Sequence, residues 1–358
     1  MCNHASHERA HPIYCILPPH MLKEIAKKGT PQQRSLAIET LSADHTFRQI
    51  RSVEAAMIAP RRGAHLKPAA APSAQRSIYT ANNTETLPGT LVRSEGAPKS
   101  DDVSVDEAYD GLGATFDFYL KVFQRNSIDD AGMPLVGTVH YGVEYDNAFW
   151  NSQQMVFGDG DGSLFNRFTI SLDVIGHELT HGVTEHAAAL AYSGQSGALN
   201  ESVSDVFGAL IKQYALQQTA SEADWLIGAG LLTSSVNGVA LRSMKEPGTA
   251  YDDPVLGKDP QPADMAHYVQ TAQDNHGVHI NSGIPNRAFC LAALNLDGYA
   301  WEKAGRIWYE TLNDTHLKPN VNFKTFAKLT VSNADRIFGA GSAESKAVSK
   351  AWDTVGVL

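Results

Sequence analysis

The run Val174-Ile175-Gly176-His177-Glu178-Leu179-Thr180-His181 admits few folded contexts. It lies in a helical pattern over Leu172–His186, and a helix advances 3.6 residues per turn, so His177 and His181 stack one turn apart on one face. Two imidazoles so placed can each offer a nitrogen to one cation at about 2.0–2.1 Å, the distance zinc takes. Glu178 lies about 100° around the helix from His177, close enough to reach a water at that cation without being a ligand. This is the H-E-x-x-H pattern of hydrolytic zinc sites.

Such a site needs a third protein ligand and an open position. Glu201 follows in Asn200-Glu201-Ser202-Val203-Ser204-Asp205, within a second helical pattern over Gly197–Tyr214. Glu201 and Asp205 are four apart and share a face. One carboxylate can complete the metal shell while the other accepts the free ring N–H of a ligand histidine. A third cluster, Gln273-Asp274-Asn275-His276-Gly277-Val278-His279-Ile280-Asn281-Ser282-Gly283, reads as a loop running into a helix. A histidine there, held protonated by a neighbouring Asp, can stabilise an oxyanion. Spacing leaves the choice between His276 and His279 open.

At 358 residues the chain has room for about two domains. Three cysteines (Cys2, Cys15 and Cys290) exclude a disulfide scaffold, and no apolar run approaches the ~18 residues of a membrane span. Charge is unevenly spread. Residues 1–76 hold 11 Lys/Arg against 5 Asp/Glu, while the rest carries 18 against 34. An acidic body repels phosphates, which argues against nucleic acid as a partner and for a basic segment docked on its own body.

Ile13–Leu17 is too short for the ~7–15-residue core of a secretory signal, and two prolines follow it. Short helices are expected over Met21–Lys28 and Gln32–Leu41, split by Gly29-Thr30-Pro31. Residues 60–76 hold three prolines, an alanine run and four Lys/Arg, the composition of an exposed linker with a boundary near residue 70. Strand-like text then runs to about Asp161, interrupted by a helix near Asp106–Gln124. Long helical patterns dominate from Leu172: Asn286–Leu294, Trp301–Leu312 and Asn322–Phe338 join the two above. The expectation is an α+β chain of two lobes, strand-rich over 73–188 and helical over 189–358, preceded by a segment over 1–72.

These residues resemble the thermolysin family of zinc endopeptidases, and within it the protealysin-like subgroup. From about Ile78 onward the motifs match in order: Asn147-Ala148-Phe149-Trp150, the His177–His181 helix, Gly197 through Asp205, Leu241-Arg242-Ser243-Met244, and Asp274 through Gly283. Pro18-Pro19-His20-Met21-Leu22 is similar to the start of the subgroup's short precursor segment. The resemblance implies a two-lobed metalloprotease with the zinc site between the lobes. It implies His177, His181 and Glu201 as Zn²⁺ ligands, Glu178 as general base, and Asp205 orienting a ligand histidine. It selects His279 over His276 as transition-state donor, with Asp274 beside it and Tyr192 as second donor. Asn147, the Ala148 carbonyl and Arg242 would hold the substrate backbone. Phe165, Phe168, Val174, Ile227, Leu231 and Leu241 would line the pocket for the residue after the cut; all six are apolar, which predicts cleavage before Leu, Phe, Ile or Val.

One departure stands out. Relatives hold two calcium ions with several acids, but here Asp173 and Asp224 remain while Lys212, Leu226 and Ala229 replace carboxylates. No double calcium site is expected, with Lys212 pairing one of the remaining acids. Gly158-Asp159-Gly160-Asp161-Gly162 lacks the later Glu of an EF-hand and reads as a tight turn. The basic segment then reads as an inhibitory pro-segment, and an enzyme of apolar preference could cut near His65–Leu66 or Ser77–Ile78. Cys15 reads as a buried apolar residue in preference to a zinc cap. A zinc aminopeptidase of related geometry is the alternative; the G-x-M-E-N-type strand of such enzymes is missing, and Asn147-Ala148-Phe149-Trp150 takes its place. The expected protein is a monomeric zymogen without a membrane partner, acting on peptides and proteins. Lacking a signal peptide, it is cytoplasmic as made or exported by a route that needs none.

Overall fold

The computed structural model describes residues 14–54 and 72–358. The boundary near residue 70, Cys2, the His65–Leu66 bond and most of the expected linker lie outside the described residues. The segment begins with strand β1 (Tyr14–Cys15) and helices α1 (Pro19–Lys28) and α2 (Pro31–Glu54). Pro19 opens α1, where its fixed φ suits the first turn and its missing N–H costs nothing. The α1 face of Met21, Leu22 and Ile25 is buried. The second helix runs well past the expected Leu41.

The strand-rich part supplies β2 (Arg76–Thr80), β3 (Thr90–Ser94), β4 (Leu135–Val139), β5 (Ala148–Trp150) and β6 (Met155–Phe157). With β1 they form one mixed sheet in the order β1-β5-β6-β4-β2-β3. Only β4 has two parallel neighbours, β2 and β6. Helix α3 (Val103–Phe123) packs on this sheet, its first turn capped by Asp102, whose carboxylate accepts from the Ser104 and Val105 amides. The Ser77–Ile78 bond corrects an expectation: it sits within β2, hydrogen-bonded to β3 on one side and β4 on the other, with Ile78 buried. A bond paired on both sides cannot enter a protease cleft as an extended strand.

The helical part contains α4 (Leu172–Ala187), α5 (Gly194–Leu216), α6 (Asp274–Asn281), α7 (Gly283–Leu296), α8 (Ala304–Leu312), α9 (Phe323–Phe338) and α10 (Ala343–Thr354). Helix α10 was not foreseen, although Ala347, Val348, Ala351 and Trp352 line one buried face; Ser342 caps it, and Trp352 stacks on Trp308 of α8. Two glycines let α4 and α5 approach closely. A Cβ on Gly208 would lie 2.4 Å from the Asp173 carbonyl oxygen, and one on Gly176 would lie 2.7 Å from the Ile211 side chain and 3.1 Å from the Gly208 Cα. Among the described residues no helix is long and apolar enough to cross a membrane.

Candidate metal centre and cleft

The close α4–α5 contact sets the spacing of the site. His177 and His181 project from α4, and Glu201 faces them from α5. Their Nε2 atoms are 3.0 Å apart, and the Glu201 carboxylate oxygens lie 3.5 Å from His177 Nε2 and 3.6 Å from His181 Nε2. Ligands of a tetrahedral zinc at ~2.05 Å sit roughly 3.3 Å from one another, close to the separation of the two Nε2 atoms and of each from its nearer Glu201 oxygen, so the three side chains fit that ion. All three side chains are buried.

The ring orientations fit too. His177 Nδ1 is 2.8 Å from Asp205 Oδ1, and His181 Nδ1 is 2.8 Å from Asn200 Oδ1 and 3.0 Å from Ser204 Oγ. A proton on each Nδ1, donated to the acidic or amide oxygen, leaves both Nε2 lone pairs facing the cation position. Asp205 is where expected; Asn200 and Ser204 were unforeseen. Both stand in the motif around Glu201, but which ring they reach depends on the angle between α4 and α5.

Asp205 is itself tightly held. Arg242 clamps it through Nε and Nη2 at 2.9 and 2.8 Å, and Asn286 Nδ2 donates to it at 2.8 Å. Burial works to raise its pKa, but the Arg242 and His177 charges outweigh burial and keep the carboxyl well below the usual carboxylate range. The reciprocal effect raises Arg242, against its own burial.

Glu178 is fully buried, and its Oε2 accepts from the Trp150 amide at 3.1 Å. Thus β5 carries the acid's anchor, while its neighbours Asn147 and Ala148 face the cleft. His279 Nδ1 lies 2.7 Å from Asp274 Oδ1, and the His279 amide donates to Asp274 Oδ2 at 2.9 Å. This fold-back needs a left-handed turn. Asp274, Asn275, His276 and Gly277 all have positive φ, a conformation for which Asp, Asn and Gly are the suited residues. His279 Nε2 reaches Tyr192 Oη at 3.2 Å, and that hydroxyl also donates to Glu201. His276 instead contacts exposed Ser193. His279 and Tyr192 therefore converge on the ligand set, and His276 does not.

Phe165, Phe168, Val174, Ile227, Leu231 and Leu241 are all buried in the main apolar core. Running across the cleft is the N-terminal segment. Strand β1 pairs antiparallel with β5, Cys15 opposite Phe149 and Tyr14 opposite Trp150. The Ile16 amide donates to the Ala148 carbonyl at 3.2 Å, the Leu17 amide to Asn147 Oδ1 at 3.1 Å, and Arg242 Nη1 donates to the Ile16 carbonyl at 3.2 Å. Cys15 packs against Phe149 and Val156 in a small cluster of its own, as an apolar residue would. Strand pairing and apolar burial hold the segment. Among the described residues, Lys27 and Lys28 pair Glu24 within α1, and Arg76, the last basic residue of the 1–76 stretch, pairs Glu95 of the body.

Two histidines and a glutamate around one cation position, with buried Glu178 beside them and an extended strand laid along the sheet edge, have the make-up of a metallopeptidase site. Residues 64–185 match the thermolysin metallopeptidase catalytic domain and residues 188–357 the thermolysin metallopeptidase α-helical domain, so the chain belongs to the thermolysin family. It is 55% identical over 351 residues to an extracellular metalloprotease of Pectobacterium carotovorum subsp. carotovorum, covering 98% of each chain. It is 39% identical over 292 residues to a thermolysin of Bacillus sp. (strain EA1), covering 78% of this chain but 50% of the relative. The solved precursor of protealysin, a metalloproteinase from Serratia proteamaculans, superposes with a TM-score of 0.87 at 55% identity, covering 96% of this chain and all of the other. The molecule is a thermolysin-family zinc metalloendopeptidase in precursor form, of the protealysin-like kind.

Proposed function

We propose that the chain cleaves peptides and proteins on the N-terminal side of bulky apolar residues, with His177, His181 and Glu201 holding one zinc ion. The observation that carries this reading is the meeting of three ligand atoms within 4.8 Å of one another, beside Glu178 and beneath a peptide-binding strand. Zinc bound there supplies Lewis acidity, acidifying water and polarising a carbonyl. Glu178 takes the proton of the attacking water and passes it to the departing amine. His279 and Tyr192 donate hydrogen bonds to the carbonyl oxygen as it gains charge, Asp274 keeping the imidazole aimed. Asn147, the Ala148 carbonyl and Arg242 align the substrate backbone as an added strand on β5, a mode in which main-chain bonds give affinity and pockets give specificity. Phe165, Phe168, Val174 and Leu241 form the apolar pocket, with Ile227 and Leu231.

The docked segment makes this chain a zymogen. It spends the backbone contacts of β5 and Arg242 on Ile16 and Leu17, so a substrate cannot add there until the segment leaves. The mature enzyme acts as a monomer. Export from the cell fits the extracellular relatives. A double calcium site is absent because Lys212 Nζ stands among the remaining acids, 2.8 Å from Asp173, 2.9 Å from Asp224 and 2.9 Å from the Leu226 carbonyl.

The deciding experiment uses blocked peptides with Leu, Phe or Asp after the test bond, assayed with the processed enzyme and with Glu178→Gln. Cutting before Leu and Phe but not Asp, abolished in the variant while zinc stays bound, supports the reading. Blocked peptides left intact, with N-terminal residues released from unblocked ones, would point to an aminopeptidase.

A further inference from the structure

Resting on the peptidase reading above, we propose that the pro-segment lies in the cleft as a tethered substrate in cleavable register. The Cys15–Ile16 bond holds the place of the bond to be cut, and the chain hydrolyses it in cis while the segment stays docked. Three contacts fix the register. Each group proposed to align substrate backbone is used on two consecutive residues: Ala148 and Arg242 on the amide and carbonyl of Ile16, Asn147 on the amide of Leu17. Arg242 is braced by Asp205, which also holds His177, so the Ile16 carbonyl is tied through two side chains to a ligand histidine. At the other end Tyr14 lies opposite Trp150, whose amide anchors Glu178. Cys15 lies between these ends, and the bond on the amide side of Ile16, the residue whose amide and carbonyl are both held, is Cys15–Ile16.

Side chains agree with this placement. Ile16 is fully buried in the same apolar core as the pocket residues and is of the class that pocket accepts. Successive side chains of a strand alternate in direction, and Cys15 accordingly packs elsewhere, against Phe149 and Val156.

In the reaction one water is consumed. Its oxygen bonds the Cys15 carbonyl carbon, the Cys15–Ile16 C–N bond breaks, and Glu178 carries a proton from the water to the Ile16 nitrogen. The water's second proton follows to the same nitrogen, so the products are a Cys15 carboxylate and an Ile16 ammonium. Cutting does not release the inhibitor. Pro18 and Pro19 stiffen the next residues, and α1 holds them through buried Met21, Leu22 and Ile25, so the new Ile16 terminus stays in the cleft at high effective concentration. A nick here is therefore separate from activation.

The full-length chain, zinc-loaded, is followed in time by intact mass and N-terminal sequencing at two protein concentrations tenfold apart. A new terminus at Ile16, formed at the same rate at both concentrations and missing in Glu178→Gln, supports the proposal. A rate that scales with concentration means cutting between molecules and overturns it. So does an intact Cys15–Ile16 bond when processed enzyme from the same batch cuts a blocked peptide before Leu. A second readout needs no activity: hydrogen exchange on the metal-free full-length chain. The Ile16 and Leu17 amides should exchange at least 100-fold slower than in an unfolded chain, and Ile16→Asp should remove that protection. Unprotected amides in the parent chain refute the register, even if the peptidase reading itself stands. Failure of processed enzyme to cut any peptide, with both amides protected, counts against the peptidase reading and removes the cis-cleavage claim with it.

Discussion

At the scale of single residues, the site combines groups that act with groups that aim them. Glu178→Gln removes the base but keeps size and the capacity to accept from Trp150, so kcat/KM should fall by about 10²–10⁴-fold with the zinc content unchanged by elemental analysis. Asn200→Ala tests an aiming group. His181 would lose the oxygen that settles its Nδ1 proton, and zinc affinity in a chelator competition should drop about 10–100-fold. An affinity equal to the parent's would show that Ser204 alone sets the ring. The glutamate and both histidines announce themselves by spacing. Asn200 does not, because its partner lies across a helix–helix contact that spacing in the chain cannot describe.

At the scale of elements, the decisive contact is α4 against α5. Gly208→Val forces a side chain into the Asp173 carbonyl, and overpacking of this kind costs about 1–3 kcal/mol. Unfolding in urea should show that loss together with weaker zinc binding, because the helices must separate. Lys212 ties the same two helices to the backbone at Leu226. Burial works to lower its pKa, but Asp173 and Asp224 outweigh burial and raise it, so the ammonium persists across the working range. Lys212→Met leaves Asp173 as a buried, uncompensated charge, and should destabilise the protein by about 3 kcal/mol. Parent stability should be the same in chelator and in added Ca²⁺; a gain of several kcal/mol with calcium in the parent would reject the proposed loss of that site. The long helices were legible because their apolar residues repeat at the helical period. The two-residue β1 was not, because a strand so short exists only through the partner edge it meets.

For the molecule as a whole, the precursor is a body whose sheet has been extended by its own N-terminus. Without β1, β5 is the sheet's edge, the position from which a peptidase can accept a peptide strand. His20 gives that docking a pH dependence. Its Nε2 meets Tyr251 Oη at 3.0 Å, and burial pushes its pKa from 6.5 down to about 4, helped by His279, Arg242 and Lys23 and opposed by Asp274. A pKa lowered on docking stabilises the docked state fully above about 6.5, and that stabilisation fades as pH falls toward 4, by at most about 3 kcal/mol. Protection of the Ile16 and Leu17 amides in the metal-free chain should therefore weaken at pH 4.5 relative to pH 7, and His20→Gln should remove most of that difference. Equal pH sensitivity in the variant would place the cause elsewhere.

The sequence by itself determined the class of chemistry: His177, Glu178, His181 and Glu201 carry their proposed roles in residue type and spacing, and the shift from strand text to helix text carries the two lobes. These are local properties, since a helix period and a ligand's donor atoms belong to the residues themselves. Only the tertiary structure decided that His276 turns away to Ser193, that Asn200 aims His181, and that the segment is seated by adding β1 to the edge of β5. Each of those depends on distances between elements far apart in the chain, set by the close glycine contact of α4 with α5, the left-handed turn at Asp274–Gly277 and the free edge of β5.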